Sequence, residues 1–234
     1  VIDAGAGDDT VYGSNGTDTI TDGPGSDSIY GEGGGDWIIA SPGAGSDYYD
    51  AGPSALESTI DYSHALAGIV LNLGTGTAQS AGGADAAGIG VDQLANFDFV
   101  HGTAFDDSLT GDSGDNRLYG GGGNDVFDGG GGDDALYAEG GRFATADGGS
   151  GDDVIFLDLV TTSASDVTTA YGGTGVDSVV VNASGSGSVV IDTAESILLL
   201  GTTSGGTTIN LNNPVEGVAS GISFYIDWFE GATF

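Results

Sequence analysis

An acid two residues ahead of a large apolar side chain recurs along this chain, and in two stretches it recurs every nine residues with glycine between. The first series is Asp9, Asp18, Asp27 and Asp36, reaching Asp47 after a slip of two residues. The second is Asp107, Asn116, Asp125 and Asp134, with Asp153 and Asp177 farther on. The residues two places later are Val11, Ile20, Ile29, Ile38, Tyr49, Leu109, Leu118, Phe127, Leu136, Ile155 and Val179. All eleven are apolar, where a chain that is 38% apolar gives about four by chance, so the period is a true repeat. A fixed repeat fixes a fold, and this one also fixes a chemistry.

Written out, the units are AGAGDDTVY, GSNGTDTIT, DGPGSDSIY and GEGGGDWII, then GTAFDDSLT, GDSGDNRLY, GGGGNDVFD and GGGGDDALY. The first six positions, rich in Gly, Asp, Asn and Ser, carry turn chemistry: positive backbone angles and side-chain-to-backbone bonds. The last three predict one short strand with its middle residue inward. Two units close one coil of about eighteen residues, so unit i stacks on unit i+2 at about 4.8 Å, the spacing of a parallel β-roll. Apolar residues then form internal columns, and acids form columns along the turns.

Carboxylates such as Asp9, Asp27 and Asp47, aligned one strand spacing apart, repel by roughly 1 kcal/mol per pair in water and several-fold more at a protein edge. The chain has no means of neutralising them, since two arginines, no lysine and two histidines face 35 acids, a formal net charge of −33. A bound cation is the simplest answer. Calcium fits best, because it takes about six to eight oxygens and such turns present carboxylates together with glycine carbonyls. Magnesium holds its waters and demands an octahedron. Zinc is poorly served, with no cysteine and with His64 and His101 isolated in sequence.

The units resemble the glycine-rich nonapeptide of the RTX (repeats-in-toxin) hemolysin-type calcium-binding family, G-G-x-G-x-D-x-U-x with U a large apolar residue. The resemblance covers residues 1–50, 102–137 and 148–156, with a further copy at 172–180. It implies an all-β fold, a right-handed parallel β-roll or β-helix solenoid with calcium-loaded turns. Each ion would sit between turns i and i+2, held by position-six aspartates and backbone carbonyls of both. The implied pairs are Asp9 with Asp27, Asp18 with Asp36, Asp27 with Asp47, Asp107 with Asp125, Asn116 with Asp134, and Asp134 with Asp153. The implied ligand set is Gly7, Asp8, Asp9, Gly16, Asp18, Gly25, Asp27, Gly34, Asp36, Gly45 and Asp47 in the first series. In the second it is Asp106, Asp107, Asp115, Asn116, Gly123, Asn124, Asp125, Gly132, Asp133, Asp134, Asp152, Asp153 and Asp177. Roughly six to eight calcium ions follow from that ligand count. Without them, 47 glycines and the charge of −33 give high backbone entropy and self-repulsion, so metal binding is expected to be coupled to folding.

The expected organisation is a calcium-binding block over 1–50, an ion-poor β-coil spacer over 51–101, a second block over 102–156, and degenerate β-helix coils with a C-terminal cap over 157–234. In the spacer, 58–63, 68–73 and 91–101 read as strands of larger coils, and glycine content with a period-two pattern argues against helix. Beyond 138, Arg142 and Phe143 replace acid and glycine, and a 19-residue step from Asp134 to Asp153 suggests a bulged turn. Residues 157–171 read as a Thr/Ser-rich loop, 172–180 return to the pattern as GGTGVDSVV, and 188–192, 196–200 and 207–211 read as strands. Val1, Ile2 and Asp3 fit positions seven to nine of a unit whose turn lies upstream, so the chain is expected to start inside a larger array. The tail GISFYIDWFEGATF reads either as an uncleaved type I export signal, by the same resemblance, or as a strand closing the end of the roll.

Tyr12 and Tyr30, like Tyr119 and Tyr137, hold position nine two units apart, so each pair is expected to stack, as strand support or as a ladder for sugar. Arg117 and Arg142 are placed to neutralise carboxylates where turns depart from the pattern. His64 and His101 read as surface or loop histidines. There is no nucleophile elbow, no cysteine nucleophile and no H-E-x-x-H, and the absence of lysine excludes a P-loop, so no enzyme is expected within these residues. The paired carboxylates lie where calcium would occupy them and do not argue for glycoside chemistry. Acidity argues against nucleic acid and anionic membranes, and no run is long enough to cross a bilayer. Two functional classes remain for a secreted or cell-surface chain. One is a structural or adhesive array, as in a surface layer, filament or adhesin; its partners would be flanking repeats of the same larger protein, further copies of itself or cell-surface glycans. The other is a calcium-triggered folding and type I secretion module for an attached lipase, protease, epimerase or toxin domain.

Overall fold

Six small turn residues feed three strand residues, and the middle one is buried; this rhythm builds the molecule. The computed structural model describes residues 1–43, 45–53, 56–83, 85–142, 144–161, 165–185, 187–194, 196–200, 208–212 and 223–227. Among these there is no helix, and the parallel strands stack as a β-solenoid. Two compact units are present, Val1–Asp112 with Leu118–Gly121, and Ser113–Arg117 with Gly122–Phe234.

In the first unit one sheet lays Ile2–Asp3, Thr19–Thr21, Trp37–Ile39, Thr59–Asp61 and Phe99–His101 side by side, all parallel. Its register sets Ile2, Ile20, Ile38, Ile60 and Val100 in one column. The other sheet runs in the order Thr10–Ser14, Ser28–Glu32, Tyr48–Asp50, Val91–Ala95, Thr77–Ser80, Ile69–Asn72 and Ser108–Thr110. There Val11, Ile29, Tyr49 and Leu94 align. Ile20, Ile29, Ile38, Tyr49, Ile60, Leu71, Val100 and Leu109 are fully buried, each worth about 1.5–3 kcal/mol for an aliphatic side chain of this size.

The spacer departs from the expected stack of larger parallel coils. Thr77–Ser80 runs antiparallel between Ile69–Asn72 and Val91–Ala95, so a three-strand meander extends one sheet while Thr59–Asp61 pairs directly with Phe99–His101 in the other. The cause is a tight reversal after Asn72. Its side chain accepts the Thr75 amide at 2.7 Å, and Gly76 takes a φ of 64°, so the chain turns back instead of completing a coil.

Aromatic side chains line both sheets of this unit. Tyr12 and Tyr30 stack as expected, with centroids 5.0 Å apart, and the row continues to Tyr48. On the other sheet His101 lies between Trp37 and Tyr119, at 5.2 and 4.7 Å, and is therefore a strand residue within an aromatic row; the loop expectation holds only for exposed His64.

The second unit is parallel throughout the described pairings. One sheet runs Ala135–Glu139, Val154–Thr161, Ser178–Gly185, Ser196–Leu200 and Ser223–Asp227. The other runs Val126–Asp128, Thr145–Ser150, Val167–Thr174, Ser188–Asp192 and Thr208–Asn212. The loop expected over 157–171 is largely strand. Ile155, Leu157 and Leu159 are buried while Asp158 and Val160 are exposed, an alternation that carries the strand past the repeat, and Thr168 and Ala170 do the same in the next one. Residues 172–180 return to the repeat, a turn at 175–177 between Val167–Thr174 and Ser178–Gly185, and the strands at 188–192 and 196–200 lie where expected. Ser223–Asp227 pairs with Ser196–Leu200, and the remainder of the tail, 221–222 and 228–234, lies outside the described residues.

Candidate metal centre

The turns bring main-chain carbonyls and carboxylates together. Position four takes a positive φ, 126° at Gly7 and 150° at Gly25, a region that glycine enters freely. The stacked turns are also too close for a side chain: a Cβ on Gly25 would stand 2.0 Å from the Gly7 carbonyl oxygen, and one on Gly45 1.5 Å from that of Gly25. Gly34 over Gly16 and Gly151 over Gly132 repeat the arrangement, and Gly123 shares the backbone angle.

Position six supplies buried carboxylates. Asp27, Asp36, Asp47, Asp107, Asn116, Asp125, Asp134, Asp153 and Asp177 are buried, and Asp9 and Asp18 are half-buried. In Asp27, Asp36, Asp47, Asp134, Asp153 and Asp177 one oxygen is fixed by the neighbouring turn. The amide of Asp9 donates to Asp27 Oδ1 at 2.7 Å, that of Asp18 to Asp36 at 2.8 Å, and that of Asp27 to Asp47 at 2.7 Å. In the second unit Asn116 donates to Asp134 at 2.7 Å, Asp134 to Asp153 at 2.8 Å, and Asp153 to Asp177 at 3.0 Å. These contacts unite the expected partners, except that Asp107 and Asp125 belong to different units. Within its own unit Asp107 accepts the amides of Ile69 and Thr103, at 2.7 and 2.6 Å.

Position five works in the opposite sense. Asp8 Oδ1 accepts the Ser26 amide at 2.9 Å, and Asp115, Asp133 and Asp152 accept those of Asp133, Asp152 and Val176, each at 2.8 Å. Asn124 accepts the Arg142 amide at 3.2 Å, while Asp106 is exposed. Stacked turns are thus clasped twice, once by an outer position-five group and once by a buried position-six group.

At four of these aspartates the second oxygen is left over. Oδ2 of Asp9, Asp27, Asp36 and Asp153 is buried and accepts no hydrogen bond. A buried acceptor without a donor costs about 1–3 kcal/mol, and more when charged. Burial accordingly pushes the Asp27, Asp36 and Asp153 carboxyls above the ordinary range, and those of Asp47 and Asp107 up to about 6. Oxygen-only donors of this kind, with glycine carbonyls stacked beside them, suit a hard dication of calcium's size.

Several residues of the ladder lie outside the repeats. The Asp47 amide donates to Asp92 Oδ1 at 2.9 Å, and Tyr62 donates its hydroxyl to Asp92 Oδ2 at 2.8 Å, so Asp92 continues the column into the spacer. On the other side the Asp36 amide meets Ser58 Oγ at 3.0 Å, and Ser58 donates its amide to Asp98 at 3.2 Å. Both acids sit two residues before an apolar side chain, Leu94 and Val100, which is the signal that could have found them, and Gly88 and Gly90 ahead of Asp92 complete the repeat's register there. Asp22, fully buried at position one, is a further acid that the repeat pattern does not contain. Where acid and glycine fail at 142–143, the Arg142 guanidinium pairs with buried Asp166 at 2.9 Å, as its placement had suggested.

The profile of the RTX calcium-binding nonapeptide repeat matches the chain in four copies, over residues 1–20, 12–49, 95–127 and 145–159. No curated protein matches it. Over the matched residues the chain carries RTX hemolysin-type calcium-binding repeats, and they build the parallel β-roll turns.

Proposed function

We propose that calcium loads the stacked turns and that the chain folds as it takes up the ions. The observation that carries this reading is the row of buried Oδ2 atoms at Asp9, Asp27, Asp36 and Asp153 that accept no hydrogen bond. The principal ligands are the position-six groups Asp9, Asp18, Asp27, Asp36, Asp47, Asp107, Asn116, Asp125, Asp134, Asp153 and Asp177, with position-four glycine carbonyls beside them. Bound calcium supplies positive charge to a column of carboxylates that has almost no protein cations near it. One buried apolar side chain per nine ordered residues is little to set against backbone entropy, so the ions are needed for order as well as for charge. Calorimetric titration of the whole chain should return about six to eight ions on the ligand count; uptake of none or one would defeat the reading.

The role we infer is structural: a calcium-stiffened segment of a secreted or cell-surface protein. Supporting it are the two repeat blocks joined by a spacer whose strands and acids continue the stack, more scaffold than a single folding staple requires. Extracellular calcium also suits turn sites, because loose oxygen sites fill at about 0.1–1 mM. Export as a module for an attached enzyme or toxin domain makes a different prediction. Fused to a passenger, the chain would promote its release into the medium, whereas a scaffold would retain it at the surface.

A further inference from the structure

One turn carries an acid at its first position. Gly13, Gly31, Gly102, Gly129, Gly148 and Gly172 hold that place because the position-six Oδ2 lies 2.3–3.0 Å from where a Cβ would stand. The unit DGPGSDSIY carries Asp22 there. Asp22 is fully buried; its Oδ1 accepts the Ser41 amide at 2.9 Å, and Tyr49 donates its hydroxyl to Oδ2. It adds a third carboxylate to the pair Asp27 and Asp47, and one oxygen from each of the three lies within 4.8 Å of the others. Asp22, Asp27 and Asp47 are 0%, 2% and 6% exposed, and the Oδ2 of Asp27 accepts no hydrogen bond. The unit that contains them has neither lysine nor arginine, for Arg117 and Arg142 both fall in the other. A desolvated group of three carboxylates without a protein cation requires a charge from outside.

We propose that Asp22, Asp27 and Asp47 form a buried three-carboxylate calcium site, distinguished from the two-acid turn sites by the Asp22 side chain, and that it is the first site to fill. The inference rests on the calcium-loading reading above and deepens it. Affinity among calcium sites rises with ligand charge and rigidity, and Asp22 supplies both: one more anion, held in place by the Tyr49 hydroxyl and the Ser41 amide. Magnesium, which sheds water reluctantly, gains less from such an enclosed cluster.

Chelator-competition titration with calcium on the whole chain tests this, comparing wild type with Asp22→Gly, which restores the repeat, and with the near-isosteric Asp22→Asn. Wild type should show one tight site whose Kd rises at least tenfold in both variants, with the remaining sites unchanged in number and affinity. An unchanged first Kd in both variants overturns the inference and leaves calcium loading standing, whereas no calcium uptake by wild type overturns both. A second readout, which leaves all three carboxylates in place, is terbium luminescence. The first equivalent should be sensitised by tyrosine, and Tyr49→Phe should lower that emission at least twofold; emission unchanged by Tyr49→Phe places the first ion elsewhere and overturns the assignment.

Discussion

The position-six aspartates Asp27, Asp36 and Asp153 divide their two oxygens: Oδ1 accepts the amide of the neighbouring turn, and Oδ2 accepts no hydrogen bond and faces the proposed ion. That division explains the glycine at position one, which sequence pattern alone marks only as a turn residue. Gly31 illustrates it, since a Cβ there would lie 2.3 Å from Asp36 Oδ2 and 2.9 Å from the Ala51 carbonyl oxygen. Gly31→Ala should therefore destabilise the first unit by about 1–3 kcal/mol, the usual range for overpacking, and weaken calcium uptake, as followed by urea melts at fixed calcium. Asp92 gives a pH prediction. Burial pushes its carboxyl up to about 8, well above the unfolded value, so between roughly pH 4 and 8 the folded state of the calcium-free protein holds a proton that the unfolded state releases. Stability from this group is present at low pH and lost as pH rises toward 8. In EGTA, β signal should increase as pH is lowered from 8 to 5, and Asp92→Asn should flatten that dependence; an equally steep dependence in the variant would assign it to other acids.

At the scale of the turn and strand, the double clasp ranks the acids of one doublet. Asp133 is exposed and accepts one amide, whereas Asp134 is buried, fixes the Asn116 amide and faces the proposed ion. Asp133→Ala should cost about 0.5–1.5 kcal/mol. Asp134→Ala should cost more and remove calcium from the titration, and equal effects would show that the doublet is only a surface feature. Leu136, fully buried two residues on, should lose about 2–5 kcal/mol on truncation to alanine. The coil was legible in sequence because aspartate, glycine and one apolar residue recur in phase, which also identified the columns of Ile20 with Ile38 and of Val11, Ile29 and Tyr49. Asp92 and Asp98 were not legible because their D-x-U phrases fall outside the nine-residue series; Asp98 has no glycine turn before it, and Asp92, although preceded by Gly88 and Gly90, stands 45 residues beyond Asp47. The antiparallel strand Thr77–Ser80 was missed because its sequence, TAQS, has a single apolar residue and its direction is set by the reversal at Gly76. The strand extension at 154–161 was hidden by Thr and Ser immediately beyond it, although Leu157 and Leu159 already alternate inward.

Across the whole molecule the governing quantities are a formal charge of −33, 47 glycines and a thin column of apolar side chains. Repulsion and chain entropy favour the open state, and one apolar residue per unit does not reverse them alone. Added monovalent salt screens the outer acids and so should ease, but not replace, the calcium requirement, because the buried position-six carboxylates are shielded little by a Debye atmosphere of about 8–10 Å. Folding should therefore track calcium activity far more steeply than ionic strength, with order and ion uptake rising together. The most direct measurement is far-UV circular dichroism of the whole chain at neutral pH, first in EGTA and then through millimolar calcium, with bound ions counted in parallel. The spectrum in EGTA should be largely disordered and should convert to an ordered β spectrum as roughly six to eight ions bind. The same ordered β signal in EGTA as in calcium would contradict calcium-coupled folding.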